Sequence, residues 1–378
     1  MSYLEKIDNL RFPAFSNEVE TFVCPILKSY NEAPCGLRLA HGWRFFDNIR
    51  VIQNYKNSYF ETIMSTKELM KSASLAGSSS LLEAEIIIDC LTKQRDQFSR
   101  LDMSFAHLMG IINLTPDSFF EESQSLNSLS VCKTAHQMLN DGASIVDLGA
   151  ESSRPGSKRI SSEQELKRVL PSLIEIQKTN DLNINISLDT RNLSTMVKGF
   201  DNGVNIINDI SSFANEKSIR FISKENIPII LMHMQKEPDV MQQKPTYKFA
   251  PIDIFKFFSN KIHSLMKLGV KKSNIVIDPG IGFGKTLKHN LDILNYLPLF
   301  HCLGVPILIG VSRKSLIADI SIEKYKSDSF KKKILDPGNR LSGSIAFAIQ
   351  GYNNGIQILR THDVFETKQA FLCQETVY

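Results

Sequence analysis

Residues 274–286 read NIVIDPGIGFGKT. Three glycines at alternate positions, followed by Lys285 and Thr286, have the outline of a phosphate cradle. A P-loop needs a glycine five positions before the glycine of its Gly-Lys-Thr. Counting back from Gly284 reaches Pro279, so that spacing fails. No G-x-G-x-x-G follows from Gly280 or Gly282, which removes the dinucleotide fingerprint as well. What remains is an apolar run, NIVID, that ends in an acid and breaks into a glycine-rich turn. A strand buried on both faces has this pattern, because nothing in it alternates between polar and apolar.

Seven more runs of the same kind surround it: HLMGIINLT, SIVDLGAES, NISLDT, NIINDIS, PIILMHM, PILIGVS and IQILRTH, all after residue 105. Helical spacing lies between them, as at Ser130–Asn140, closed by DGA, and Leu193–Phe200, closed by DNG. Strand and helix alternating eight times over roughly 270 residues predicts an α/β chain folded as a (β/α)8 TIM barrel. The runs end in Asn113, Glu151, Asp189, Asn208, His233, Asp278, Arg313 with Lys314, and Arg360 with His362. In such a barrel the C-terminal strand ends meet at one mouth, where active sites are built. A single polar residue there is as readily a cap; eight at the same end are poorly explained by capping. An open doubly wound sheet is the rival fold, and it rarely supplies eight equivalent strand ends.

The chemistry of that mouth follows from its side chains. Asp189, Asp278 and the amide of Asn208 can read the donor-rich edge of a polar heterocycle, with roughly 1.5–3 kcal/mol for each hydrogen bond to a charged group. Asn113, Arg360 and His362 come from the first and last strands, neighbours in a closed barrel, and their positive cluster suits a phosphate. A divalent metal on the phosphate oxygens would find its protein oxygen ligand in Asn113; magnesium takes few such ligands and keeps several waters. No Ser-His-Asp arrangement is evident, and a lone His233 reads more readily as a core histidine than as a catalyst.

These strand ends resemble dihydropteroate synthase, the pterin-binding TIM-barrel family. MGIINLTPDSF (109–119), GAESSRPGS (149–157), SLDT (187–190), INDIS (207–211), LMHMQ (231–235), DPGIGFGKT (278–286), GVSRKS (310–315), RLSGSIA (340–346) and RTHDV (360–364) follow in the family's order. SLDT alone is weak, but NLTPDSF, DPGIGFGK and SRKS in sequence are strong. The resemblance implies condensation of 6-hydroxymethyl-7,8-dihydropterin diphosphate with p-aminobenzoate, releasing diphosphate and forming 7,8-dihydropteroate through a cation-like pterin intermediate. It implies Asp189, Asn208, Asp278, Lys314 and Arg360 as the pterin pocket, with Asp189, Asp278 and Lys314 closest to catalysis. Asn113, Arg360 and His362 would hold diphosphate, with Asn113 on Mg2+. Ser153, Pro155, Phe283 and Ser315 would face p-aminobenzoate, beside the aliphatic stem of Lys314. A homodimer through the late helices is also implied.

The sequence departs from the family in FEESQS after TPDSF, in Ser153 for the usual Thr, in Thr361 for Val, and in a lysine-rich segment from Asp319 to Asn339 that is expected to loop outward. The altered first loop (120–126) is the one support for an alternative, a pterin-binding relative that has lost catalysis. Corrinoid methyltransferases that bind a pterin hold no diphosphate, and Arg360-x-His362 argues against them.

Composition bounds the rest. The 378 residues, 42% apolar and 22% charged with a net charge of +4, fit a soluble enzyme of one large domain plus an appendage. Lys331–Lys333 is the densest basic run and reads as a solvated loop, so nucleic acid is not expected as a partner. Cysteines 24, 35, 90, 132, 302 and 373 are scattered with no C-x-x-C, which favours reduced thiols in a cytoplasm. MSYLEKIDNL carries Glu5 and Asp8 and no apolar core of a signal peptide, and no stretch of eighteen apolar residues predicts a membrane span. Residues 1–104 are expected to form an α+β extension before a barrel at 105–378. Short strands are expected around the sole tryptophan, Trp43, then a capped helix, a break at AGSSS, and an amphipathic helix near Leu81–Gln97 with positions 81, 84, 88 and 91 on one face.

Overall fold

The computed structural model describes residues 4–114, 124–151, 159–179 and 184–377. The extension comes first. Strands β1 (Leu4–Lys6), β2 (Glu20–Pro25), β5 (Asn48–Tyr55) and β6 (Ser58–Ser65) form a sheet in the order β1-β6-β5-β2, while β3 (Leu37–Arg38) and β4 (Phe45–Phe46) make a small separate ribbon near Trp43. Helix α1 (Thr66–Ala76) starts on a capping box: the Ser65 hydroxyl accepts from the Glu68 amide, and the Glu68 carboxylate accepts from the Ser65 amide. Gly77, at φ 118°, breaks the chain before α2 (Ser78–Thr92). Ala84 and Leu91 of the predicted stripe are fully buried. Helix α2 stops at Thr92, short of the expected Gln97. Lys93 turns extended there, and the Arg95 guanidinium donates to the carbonyls of Lys93 and His301. This turn sends the chain down toward the barrel floor.

The barrel strands are β7 (His107–Asn113), β8 (Ala143–Gly149), β9 (Ile186–Asp189), β10 (Ile206–Asp209), β11 (Ile229–Met232), β12 (Ile275–Asp278), β13 (Leu308–Gly310) and β14 (Ile358–Thr361). All pair in parallel, in the order β12-β11-β10-β9-β8-β7-β14-β13. A parallel bridge from Ile277 to Ile307, with the Ile277 amide on the Pro306 carbonyl at 3.1 Å, closes β12 onto β13. Helices α3 (Gln124–Asn140), α4 (Ser162–Gln177), α5 (Leu193–Asp201), α6 (Glu216–Glu225), α7 (Ala250–Lys267), α8 (Leu287–Asn295), α9 (Ser315–Lys324), α10 (Asp328–Leu335), α11 (Leu341–Asn353) and α12 (Val364–Val377) lie around them. This is the predicted (β/α)8 architecture.

Met109, Ile145, Ile206, Ile230, Val276, Leu308 and Ile358, near the starts of their strands, form one internal cluster with Phe98 and Met103. Phe98 and Leu101 exchange backbone hydrogen bonds at 3.0 and 2.9 Å, so a tight hairpin plugs the barrel floor. Burying a side chain as large as Phe98 contributes about 1.5–3 kcal/mol. Residues ahead of 105 therefore complete the barrel core. The extension's sheet is also bound to the barrel flank: Phe22, Cys24, Ile52 and Tyr59 share a cluster with Phe249, Ile252, Tyr296 and Leu299. Trp43 stacks on Tyr352 with ring centroids 5.1 Å apart and donates Nε1–H to its carbonyl at 2.9 Å.

The Asp319–Asn339 segment does not loop outward. It completes α9, forms α10, and returns through a short 3-10 turn at Pro337–Arg340. Ile334 is buried, and the Arg340 guanidinium reaches the carbonyls of Ile334, Leu335 and Arg313, which folds the segment back. A lysine-rich surface is compatible with helix because Lys has good helix propensity.

Candidate active site

Strand register brings the polar ends together. Asp189 pairs laterally with Asn208 across β9 and β10, and Gly149 of β8 pairs with Asp189. Arg360 pairs with Gly310 on β13, and Lys314 comes close to the same glycine: a Cβ there would sit in ordinary contact, 3.7 Å from Arg360 Cβ and 3.9 Å from Lys314 Nζ. The Arg360 Nε donates to Asp147 Oδ2 at 2.7 Å, and its Nη2 lies 3.4 Å from Asp189 Oδ2. The Asn208 amide is 3.5 Å from the same Asp147 oxygen. Asp147, fully buried in the middle of β8, is a site residue that the strand-end rule overlooked. Its signal was a lone acid inside the apolar run SIVDLG; a buried charge without a partner costs too much to persist.

Burial, then the Asp147 carboxylate, lifts the Asp189 carboxyl to about 8, with Arg360 pulling the other way. The turn behind Asp189 is held by buried Glu165, which accepts from the hydroxyls of Thr190 and Thr195 and from the Asn192 amide at 2.9, 2.5 and 2.9 Å. Asp209 does the same for β10, accepting from Ser211 and from the Phe213 amide.

On the far side, Asp278 ends β12 and accepts from the Gly280 amide at 2.8 Å. Burial raises its carboxyl, while Lys314, that amide, Lys285 and Arg360 lower it. The half-buried Lys314 caps α9; its Nζ donates to the Ile281 carbonyl and stands 4.6 Å from the centroid of the Phe283 ring. Burial brings the Lys314 ammonium down to about 8, partly restored by Asp278. Ser315 is the exposed first residue of α9, next to this pair. Asn113 and His362 meet with Nδ2 and Nε2 3.5 Å apart, and His362 Nδ1 lies 3.0 Å from the Ser312 hydroxyl. Asp189, Asn208, Asp278, Lys314 and Arg360 thus line one mouth, with Asn113 and His362 at the junction of its first and last strands. Ser153 and Pro155 lie outside the described residues, as do residues 120–123 of the altered first loop.

Three strand-end groups serve structure. Glu151 accepts from Arg191 Nη2 at 2.6 Å, and Arg191 also pairs with Glu237, so this charge set links the ends of β8, β9 and β11. Arg313, at φ 58°, pairs with Asp363. His233 is buried, and burial plus Lys285 holds its ring down at about 2, neutral at any working pH.

The family model for pterin binding enzymes matches residues 109–362. Dihydropteroate synthase of Escherichia coli (strain K12) is 37% identical over 274 residues, covering 72% of this chain and 92% of the relative. The chain belongs to the dihydropteroate synthase family. The dihydropteroate synthase of Haemophilus influenzae is 34% identical over 267 residues, 71% of this chain and 92% of that one. Among solved dihydropteroate synthases, that of Yersinia pestis with a sulfonamide drug complex superposes with a TM-score of 0.66 at 35% identity, covering 73% of this chain and 96% of its own. The Xanthomonas albilineans dihydropteroate synthase in complex with 7,8-dihydropteroate gives 0.62 at 27%, covering 73% and 95%. Residues 1–108 fall outside the family match.

Proposed function

We propose that this chain is a dihydropteroate synthase that joins dihydropterin diphosphate to p-aminobenzoate. The observation that carries the reading is the convergence of Asp189, Asn208, Asp278, Lys314 and Arg360 from separate strands onto one mouth within a family-matched barrel. Asp278 and Asn208 offer acceptors and a donor for the amino-pyrimidine edge of the pterin. Arg360, held in plane by Asp147 and Asp189, presents a flat cation suited to stacking on the ring. In the reaction the methylene carbon–oxygen bond breaks, diphosphate leaves with the electron pair, and the aniline nitrogen attacks the methylene and loses a proton. The Asp278 carboxylate favours the positive charge that spreads into the ring, with Asp189, its carboxyl at about 8, in the same mouth as a largely protonated hydrogen-bonding group; preorganised groups of this kind contribute several kcal/mol. The aniline is already a nucleophile, so the chain needs no strong general base.

Asn113, His362 and Arg360 are assigned to the diphosphate, and Phe283, Ser315, Ser153 and Pro155 to p-aminobenzoate. Among the described residues there is no group of three His, Cys, Asp or Glu that could hold a metal ion. Asn113, through its side-chain oxygen, and the substrate phosphate oxygens would hold magnesium, which takes few protein ligands and keeps several waters. Bound there, the ion would supply Lewis-acid offset of charge on the leaving group. A homodimer through the late helices is supported by Phe365 and Leu372, exposed seven residues apart on α12, and by Leu335 exposed on α10. Free cysteines and the lack, among the described residues, of a helix long and apolar enough to cross a membrane are consistent with a cytoplasmic site.

The test is turnover by purified protein with magnesium and both substrates, following dihydropteroate by mass and diphosphate release together. Product above the no-enzyme control is expected. Tight pterin binding without product would replace the synthase by a binding protein. Asp278→Ala should abolish calorimetric pterin binding while the protein stays folded; unchanged affinity would sink that assignment.

A further inference from the structure

We propose that Lys285 is a positioning residue for the pterin end of the site: its ammonium ties the glycine turn to the end of β11 and fixes a positive charge behind the Asp278 carboxylate. The inference rests on the reading of Asp278 as the acid that recognises the pterin.

Lys285 is 3% exposed, and its Nζ has three acceptors: the His233 ring Nδ1 at 3.1 Å, the His233 carbonyl at 3.0 Å and the Phe283 carbonyl at 2.9 Å. An ammonium has three N–H donors and no acceptor, so this set saturates it. With the lysine as an ammonium, the neutral His233 ring accepts at Nδ1 and carries its proton on Nε2. Its carbonyl partners belong to different segments, one at the end of β11 and one inside the turn. That turn is pressed hard against the same segment: a Cβ on Gly280 would lie 2.1 Å from the His233 carbonyl oxygen, and one on Gly284 would lie 2.7 Å from the Gln235 carbonyl. Gln242 Nε2 and the Tyr247 hydroxyl donate to the carbonyls of Gly282 and Gly284 at 2.7 and 3.0 Å, so the β11–α7 connection grips the turn from outside while Lys285 grips it from within.

A neutral donor could staple two carbonyls. The charge has a separate job: burial pulls the Lys285 ammonium well below its ordinary range and Asp278 draws it back up, while Lys285, with Lys314 and Arg360, in turn lowers the Asp278 carboxyl. The groups facing Lys285 are His233 just past β11, Asp278 from β12, Lys314 at the start of α9 and His289 from α8. Asp253 of α7 faces the Tyr247 and His289 side of this cluster. Lys285 is thus deep behind the turn, with the carboxylate that it favours opening on the mouth. An opposite charge close by keeps a carboxyl ionised to lower pH.

The experiment uses the full chain and measures the Kd for dihydropterin diphosphate by calorimetry across pH, the KM for p-aminobenzoate, and the melting temperature. Lys285→Met keeps the stem and removes the charge; Lys285→Gln keeps a donor without charge. In both, pterin binding is expected to be about tenfold weaker at neutral pH, and its acid limb to move up by about one pH unit, since Asp278 then holds its proton more tightly. The KM for p-aminobenzoate should stay within about twofold. His233→Leu, which removes one acceptor, should shift the limb in the same direction by less, and it decides the matter if neither Lys285 variant folds. A folded variant with the wild-type acid limb overturns the proposal, as does a loss that falls equally on pterin Kd and p-aminobenzoate KM. Asp278→Asn run alongside separates the two claims: if it keeps pterin affinity, the assignment of Asp278 fails rather than that of Lys285.

Discussion

Arg360 on β14 reaches past β7 to place its Nε 2.7 Å from Asp147 Oδ2 on β8, inside the barrel mouth. The acid is fully buried and the arginine side chain is 19% exposed, so the pair is anchored at the carboxylate and open at the guanidinium. The second Asp147 oxygen has no hydrogen-bond partner among the described residues. Breaking a buried pair by removing one member leaves an uncompensated charge, at a cost of roughly 3–5 kcal/mol. Asp147→Ala should therefore lower kcat/KM for the pterin substrate by at least about a hundredfold, with Asp147→Asn milder because it keeps a hydrogen-bond acceptor. Steady-state kinetics on both variants check this; wild-type kinetics in Asp147→Ala would remove the pair from the site.

The Asp189 carboxyl predicts a slope in stability with pH. Its folded value of about 8 stands above the ordinary 3.8, so the folded chain binds this proton more tightly than the unfolded chain. Stability is lost as pH rises between those two values and levels off above the upper one. Asp189→Asn should flatten that part of the profile. Urea midpoints at pH 5 and pH 8 for the two proteins give the comparison, and equal slopes would contradict it.

Gly280 occupies φ +69°, and a Cβ there would meet the His233 carbonyl oxygen at 2.1 Å. Backbone cannot yield as a flexible side chain would, so Gly280→Ala should displace the turn that carries Lys285. We expect a loss of about 2 kcal/mol or more in stability together with weakened pterin binding. Chemical denaturation and calorimetry read the two effects; a variant as stable as wild type would show that the turn has slack.

Phe98 belongs to the floor of the barrel, at the opposite end from the mouth. Phe98→Ala should destabilise the fold by about 3–5 kcal/mol, as large core deletions do. Below its melting transition, the KM values should stay near wild type. A melting curve and substrate titration at low temperature check both. A change in KM without a loss of stability would mean that the floor and mouth are coupled.

Much of this architecture could be read from the chain because parallel barrel strands are buried on both faces and so announce themselves as short runs of Ile, Val and Leu. The turn in DPGIGFGKT was legible for a related reason: Gly280, Gly282 and Gly284 all sit at positive φ, where side chains are strained. Expectations were less accurate where polarity was the only guide. Asp319–Asn339 reads as loop, yet buried Ile334 and Arg340 pack it into helix. Glu151, Arg313 and His233 end strands as Asp189 does, but Arg191, Asp363 and Lys285 engage them. A strand-end position says where a side chain starts and leaves open which neighbour it meets.

The eight strands, their common polar end and the family of the barrel were legible in the chain, because periodicity and turn chemistry are local. Packing across the barrel is what brings Asp147 to Arg360, ties Lys285 to the end of β11, and closes the floor with residues 98–103. Each depends on segments far apart in the chain. Barrel closure brings them within hydrogen-bond or packing distance, and burial then makes a partner for each charge obligatory.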